Sequence, residues 1–154
     1  MDAEVYPEHA VATFINENFQ AVRVHVREQP EEFKRLGERY AAAWTPTILI
    51  LDRSGEERHR IEGFLPSADF LSQLELGLAH SAFKRGEFTE AMRRFGEVVD
   101  RHPATDAAPE ALYWMGVAKY KASGDAAALA ETTEHFRQRY QETSWAKKAS
   151  VWGR

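Results

Sequence analysis

Residues 44–51, with the sequence WTPTILIL, decide how the first half of this chain folds. The run Thr47–Leu51 carries no charge, which predicts a central strand covered on both faces. Pro46 directly precedes the run, a position that suits a residue unable to donate to a strand ladder. Residues 52–55 (DRSG) have turn composition, and residues 57–62 (ERHRIE) predict the returning strand. The stretch therefore predicts a strand, a turn and an antiparallel partner.

The residues before this stretch alternate between helix and strand patterns. Residues 8–18 carry apolar side chains at helical spacing. Residues 22–26, VRVHV, alternate valines with polar residues, which predicts a strand with one buried face. Pro30 suits a helix start, and the acidic Glu31 and Glu32 favour the positive first turn of that helix. The first half is therefore predicted to be α/β, and its order is helix, strand, helix, strand, turn, strand, helix.

From Ser67 onward only helical patterns occur, which predicts an all-α second half. The predicted helix 67–85 has two apolar stripes, which is typical of a helix packed between two layers. We therefore predict two domains, residues 1–80 and 67–154, that share this helix without a flexible linker. Several residues recur after 38 positions, which indicates stacked helix-turn-helix units; the pairs include Arg101 and Arg139, Ala111 and Ala149, Trp114 and Trp152, and Gly86 and Gly124.

Composition and charge exclude several classes of function. The 24 acidic and 20 basic residues are mixed along the chain, and the longest basic runs are pairs such as Lys147-Lys148. A nucleic-acid binder usually has a basic face, so no nucleic-acid partner is predicted. No run of about 18 apolar residues exists, so no membrane span is predicted. The first residues lack the basic and apolar segments of a secretory signal, and a cytoplasmic location is the default expectation.

The chain has no cysteine, which removes disulfides, thiolate nucleophiles, redox pairs and Cys-ligated zinc. Its histidines show no metal-ligand spacing, and its paired acidic residues lie at predicted turns or helix starts. No glycine-rich nucleotide fingerprint occurs. We therefore predict no catalytic residue, no metal and no cofactor, and the chain as given is not expected to be an enzyme.

The first half resembles the thioredoxin family. Residues 44–47 (WTPT) before the apolar strand look like its cis-proline motif, and residues 51–64 fit its closing hairpin. Residues 1–6 (MDAEVY) look like the segment that follows the redox Cys-x-x-Cys motif in thioredoxin-like proteins of bacterial type. The resemblance implies a thioredoxin fold that lacks its first strand and its redox motif. It also implies that the residue before the proline offers its backbone to an extended substrate segment.

The missing strand leaves three alternatives for the sheet. In the family it lies between the strands that match residues 22–26 and Thr47–Leu51. These two strands pair directly and antiparallel, or another chain fills the vacant slot. In the third alternative the sequence is a fragment, or its start is assigned too late, and the missing elements lie upstream of Met1.

The second half resembles tetratricopeptide repeats. The first repeat matches at the family's spacings, through Gly86, Phe88, Ala91, Phe95 and Pro103. Gly116 and Gly124 fit a second repeat, whereas Leu129 and Thr133 depart from its pattern. The fold class is therefore expected to be an incomplete thioredoxin-like α/β/α half followed by tetratricopeptide-like helical hairpins.

These patterns predict a binding function, with a protein or peptide as partner. The candidate peptide-binding residues are Trp44, Thr45 and Pro46, and the possible contacts on a helical face are Tyr113, Trp114 and Tyr120. The alternative for each aromatic residue is core or rim packing. The leading hypothesis is a redox-inactive protein-binding module. The alternatives are the C-terminal portion of a thiol–disulfide oxidoreductase with its Cys-x-x-Cys upstream, and a scaffold that forms a homo-oligomer through the incomplete sheet.

Overall fold

The hairpin predicted in the first half is present in the computed structural model, which describes residues 1–153. Strand β1, Thr47–Leu51, pairs antiparallel with strand β2, Glu57–Glu62. The Asp52 carboxylate holds the turn between them, because it accepts hydrogen bonds from the N–H and the hydroxyl of Ser54 at 2.8 and 2.6 Å. Such side-chain bonds to nearby backbone favour tight turns. The prediction of an antiparallel hairpin is confirmed.

Two helices precede the hairpin, at the places that the sequence predicts. Helix α1 is His9–Asn18, and helix α2 is Pro30–Tyr40 with its proline in the first turn. The last carbonyl groups of a helix have no partner inside the helix. Arg60 of β2 supplies one for α2, since its guanidinium donates to the carbonyl oxygen of Tyr40 and, at 3.3 Å, to that of Ala41. The Tyr40 hydroxyl adds a second link, since it donates to the carbonyl oxygen of Gly55 in the hairpin turn at 2.9 Å, so two side chains join the hairpin to the end of α2.

The predicted strand at residues 22–26 is wrong. This segment is not part of any strand among residues 1–153, and no main-chain hydrogen bond joins residues 20–24 to another segment. The side chain of Val22 is 85% exposed, and that of Val26 is 42% exposed. Alternation specifies which side chains share a face, but a strand also needs a neighbour to complete its hydrogen bonds. Here the direct pairing of this segment with β1 does not occur.

The prediction of β1 as a central strand is also wrong. In the part of the chain that the structure describes, the sheet consists of β1 and β2 alone, so each strand has an unpaired edge. Only Ile50 of β1 is fully buried, and Leu51 is exposed. An apolar run indicates burial in general. It does not reveal how many strands pair with its edges or which elements cover its faces.

The chain divides into two compact units, one ending at Leu71 and the other beginning at Ser72. Helix α3, Ser67–Lys84, runs through this boundary without interruption. The first unit buries apolar side chains from its helices and its hairpin, namely Val5, Val11, Ile50, Ile61 and Phe70. The sharing of this helix between two domains stays a prediction.

The second unit is helical throughout its described residues. Three long helices follow α3, and they are α4 (Phe88–Arg101), α5 (Ala107–Ser123) and α6 (Ala127–Arg139). The short helix α7, Ser144–Ala149, leads into a 3-10 turn at Ser150–Gly153. Fully buried side chains from successive helices form one core, including Leu76, Ala91, Phe95, Val98, Leu112 and Phe136. No helix within residues 1–153 has the length and apolarity that a membrane crossing requires.

The glycines that recur after 38 residues have the same structural role. Gly86 follows α3 with φ of 78°, and Gly124 follows α5 with φ of 73°. Residues with side chains rarely adopt this left-handed conformation, whereas it commonly ends a helix at a glycine. The amide N–H of Glu87 then reaches back to the carbonyl oxygen of Ala82 at 3.1 Å. At the other helix end the N–H of Asp125 bonds to the Ser123 hydroxyl oxygen instead, at 3.1 Å, so the two ends share the left-handed glycine but not the bond that follows it.

We expect α4 to contribute acid sensitivity through Glu90. Hydrogen bonds from Arg93, with the charge of Arg94, lower the pKa of Glu90 from its ordinary 4.5 to about 2. A lowered pKa stabilises the folded state above pH 4.5, and this contribution is lost as the pH falls towards 2. The effect is small, because an exposed ion pair contributes less than about 1 kcal/mol. Urea unfolding measured between pH 2 and 6 should show that the free energy of unfolding falls less on acidification for Glu90→Gln than for wild type. Equal dependence of this free energy on pH in the two proteins would contradict the prediction.

Candidate functional site

The candidate peptide-binding residues lie at the end of the hairpin where β1 begins. The Thr45–Pro46 peptide bond is cis. The carbonyl oxygen of Pro46 accepts a hydrogen bond from the N–H of Gly63 at 2.9 Å, which extends the pairing of the two strands by one residue. The segment before Pro46 and the segment after Gly63 therefore leave the sheet at the same end.

Two large apolar side chains are exposed at this end of the hairpin. Trp44 is 74% exposed, and Phe64, which directly follows Gly63, is 53% exposed. Phe64 was not predicted as a site residue. The sequence did contain a signal for it, because Phe64 is a bulky apolar residue that follows Gly63 just after the last strand, where turns usually carry polar residues. The structure therefore adds Phe64 to the region defined by Trp44, Thr45 and Pro46, which we call the hairpin-end site.

The backbone of Thr45 is available for hydrogen bonding. Thr45 is exposed, and neither its N–H nor its carbonyl oxygen has a main-chain partner within residues 1–153. By contrast, the carbonyl oxygen of Trp44 accepts a hydrogen bond from the hydroxyl of Thr47 at 2.7 Å, which orders the segment. The arrangement therefore presents one donor and one acceptor beside an exposed indole ring.

The charged side chains of β2 are largely paired with one another. Arg60 donates to the carboxylates of Glu57 and Glu62 at 2.7 and 3.1 Å, and these bonds raise its pKa. The hydrogen bond from Arg60 to Glu57 also lowers the pKa of Glu57. Arg58 likewise pairs with Asp52 in the turn. These charged groups already have partners, whereas the rings of Trp44 and Phe64 are exposed.

The second group of predicted contacts is only partly brought together. Tyr113 and Trp114 of α5 belong to a cluster of rings in the second unit, with Phe83, Trp145 and Trp152. Tyr113 stacks on Trp152 at 4.5 Å between ring centroids, and Trp114 meets Phe83 edge-on at 5.2 Å. Tyr120 lies near the end of the same helix, is 37% exposed, and makes no ring contact with the described residues. A shared role of the three residues in binding stays a prediction.

The residues that the structure describes contain no group of three or more side chains that could hold a metal ion. The sequence also contains no cysteine. The exposed elements at the hairpin-end site are an indole ring, a phenyl ring, a hydroxyl group and free backbone groups. Such groups can bind an apolar or extended polypeptide segment, whereas thiol–disulfide exchange needs a thiolate.

Comparison with known proteins gives one family. A family model described as a thioredoxin-like domain matches residues 1–77, which include both helices before the hairpin, the hairpin itself and Pro46. No curated protein and no solved structure matches the chain. The tetratricopeptide repeats expected in the second half stay a prediction. Because the matched residues make up half of the sequence, the chain belongs to the thioredoxin-like domain family.

Proposed function

We propose that this chain is a redox-inactive, thioredoxin-fold binding module that captures an extended polypeptide segment at its hairpin-end site. The observation that carries the proposal is the exposed ring of Trp44 next to the free backbone of Thr45. Membership of the thioredoxin-like family supports a protein ligand, and the lack of cysteine removes the exchange reaction from this chain's own residues.

The two parts of the site have complementary roles in the proposed binding. The N–H and carbonyl groups of Thr45 hydrogen-bond the backbone of the ligand, which gives affinity for any extended segment. Trp44 and Phe64 bury apolar side chains of the ligand, which gives preference for particular sequences. Tryptophan is among the residues that most often dominate binding energy, because it buries a large area with few rotatable bonds.

A second candidate is the C-terminal portion of a thiol–disulfide oxidoreductase whose Cys-x-x-Cys is encoded upstream of Met1. Family membership favours this candidate as well. The genomic reading frame before Met1 separates the two: an in-frame Cys-x-x-Cys supports the oxidoreductase, and a stop codon supports the module. In both cases the chain of 154 residues exchanges no disulfide by itself.

We expect Trp44→Ala to weaken peptide binding at least tenfold. An interfacial tryptophan that is removed typically costs about 2 kcal/mol or more, which corresponds to that factor or a larger one. The measurement screens the wild-type chain against an array of immobilised 15-residue peptides of unbiased composition. Fluorescence polarisation of the best-bound peptides then gives the dissociation constants for wild type and variant.

Val151→Ala is the matched control for this experiment. Val151 is also an exposed apolar residue, at 58%, but it lies in the 3-10 turn of the second unit. We expect Val151→Ala to bind the peptides with the same affinities as wild type. The affinities of Phe64→Ala should lie between those of wild type and those of Trp44→Ala. Absence of any bound peptide, or equal binding by wild type and Trp44→Ala, would reject the hairpin-end site.

A further inference from the structure

The hairpin-end site is carried by a short loop between α2 and β1. Residues 41–46, which we call the site loop, include Trp44 and Thr45 and follow directly on the end of α2. The first residue of the loop, Ala41, has φ of 49°, and it is the one residue other than glycine within residues 1–153 with a positive φ. A residue with a side chain keeps this left-handed conformation only where surrounding contacts fix it. The site loop therefore begins at a constrained residue.

The start of the site loop is fixed by Arg60 of β2. Its guanidinium donates to the carbonyl oxygens of Tyr40 and Ala41, the second at 3.3 Å. It also donates to the carboxylates of Glu57 and Glu62. The resulting five hydrogen bonds match the five N–H groups of an arginine side chain. Arg60 is therefore held in one geometry, and it fixes the two peptide groups from which the loop begins.

The end of the site loop is fixed by Thr47. Its hydroxyl donates to the carbonyl oxygen of Trp44 at 2.7 Å, across Thr45 and Pro46. A peptide group is planar, so the direction of the Trp44 carbonyl also sets the direction of the Thr45 N–H. One hydroxyl group therefore orients the donor that the site offers to a ligand.

We propose that Arg60 and Thr47 are positioning residues, which hold the site loop in its peptide-binding conformation before a ligand arrives. This inference rests on the proposed function of the hairpin-end site and adds how that site is prepared. A site that is ordered in advance loses less conformational entropy on binding, so the same contacts give a higher affinity. The effect requires no contact between the ligand and either side chain.

Two substitutions of Thr47 separate its hydroxyl from the rest of the side chain. Valine keeps the branched shape and the strand preference of threonine, but it cannot donate a hydrogen bond. We expect Thr47→Val to weaken binding of the best-bound array peptides about fivefold, the factor that one ordinary hydrogen bond contributes. Thr47→Ser keeps the hydroxyl and should bind them as wild type does. Equal affinities of Thr47→Val and wild type, or equal losses in the two variants, would overturn the role of Thr47.

Arg60→Lys and Arg58→Lys form a matched pair, because each arginine pairs with two carboxylates of the hairpin. Lysine keeps the charge but loses the planar fork that reaches several partners at once. Arg60 differs from Arg58 in that it also donates to carbonyl oxygens at the end of α2. We expect Arg60→Lys to weaken peptide binding at least about threefold and Arg58→Lys to leave it unchanged. Equal affinities of these two variants would overturn the role of Arg60.

A measurement on the free chain distinguishes a failure of this inference from a failure of the proposed function. Backbone amide relaxation measured by NMR should give order parameters of about 0.85 for residues 43–45 in wild type, Thr47→Ser and Arg58→Lys, and below about 0.6 in Thr47→Val and Arg60→Lys. Equal order parameters in all five proteins, or low ones in wild type, overturn the positioning of the loop. The expected order parameters without any bound peptide support the positioning by Arg60 and Thr47 and reject the binding function alone.

Discussion

Phe95→Ala lowers the free energy of unfolding of the second unit by about 3–5 kcal/mol, the usual cost of emptying a fully buried phenylalanine site. The Phe95 side chain is 0% exposed and lies in the core formed by successive helices. Its ring meets the His80 ring edge-on at 5.2 Å. Removing the ring leaves a cavity among helices that are closely packed and cannot collapse fully to fill it.

The measurement for Phe95→Ala uses urea unfolding followed by tryptophan fluorescence. Three of the four tryptophans lie in the second unit, so a Trp44→Phe background restricts the signal to that unit. Phe88→Ala is the control, because Phe88 lies on the same helix but is only half-buried. We expect Phe88→Ala to lower the free energy of unfolding by less than half as much as Phe95→Ala. A loss below about 1 kcal/mol for Phe95→Ala would show that this core is not packed as described.

Gly116→Ala destabilises the second unit by about 2–3 kcal/mol, because it overfills the contact between α5 and α6. A Cβ atom at this position would lie 2.2 Å from the Thr132 hydroxyl oxygen and 2.8 Å from its methyl group. Thr132 cannot move away easily. It is buried and β-branched, and its hydroxyl donates to the carbonyl oxygen of Ala128 at 2.7 Å.

Gly96→Ala should have the opposite sign, and it is the matched control for Gly116→Ala. Gly96 is also inside a helix, but its nearest neighbour would be the flexible Met115 sulfur at an ordinary 3.5 Å. Alanine is favoured over glycine in a helix by up to about 1 kcal/mol, so a small stabilisation is expected. The combination of Gly116→Ala with Thr132→Ala should recover part of the loss. Equal effects of Gly116→Ala and Gly96→Ala would contradict the close contact.

The amino-acid sequence by itself determined those features that depend on neighbouring residues. The turn at Asp52, the helix start at Pro30 and the helix ends at Gly86 and Gly124 are local, because each follows from the conformational limits of one or two residues. The lack of thiol chemistry in this chain is likewise a property of the sequence alone. These predictions needed no knowledge of which segments meet.

Only the tertiary structure decided the features that require a partner distant along the chain. Residues 22–26 have a strand pattern but no neighbouring strand, and β1 has the composition of a central strand but lies at an edge. The proximity of Phe64 to the start of β1 follows from strand register, which a single segment does not reveal. Alternation and apolarity describe what a segment can bury, whereas pairing and burial depend on which other segments fold against it, and this is the physical reason for each difference.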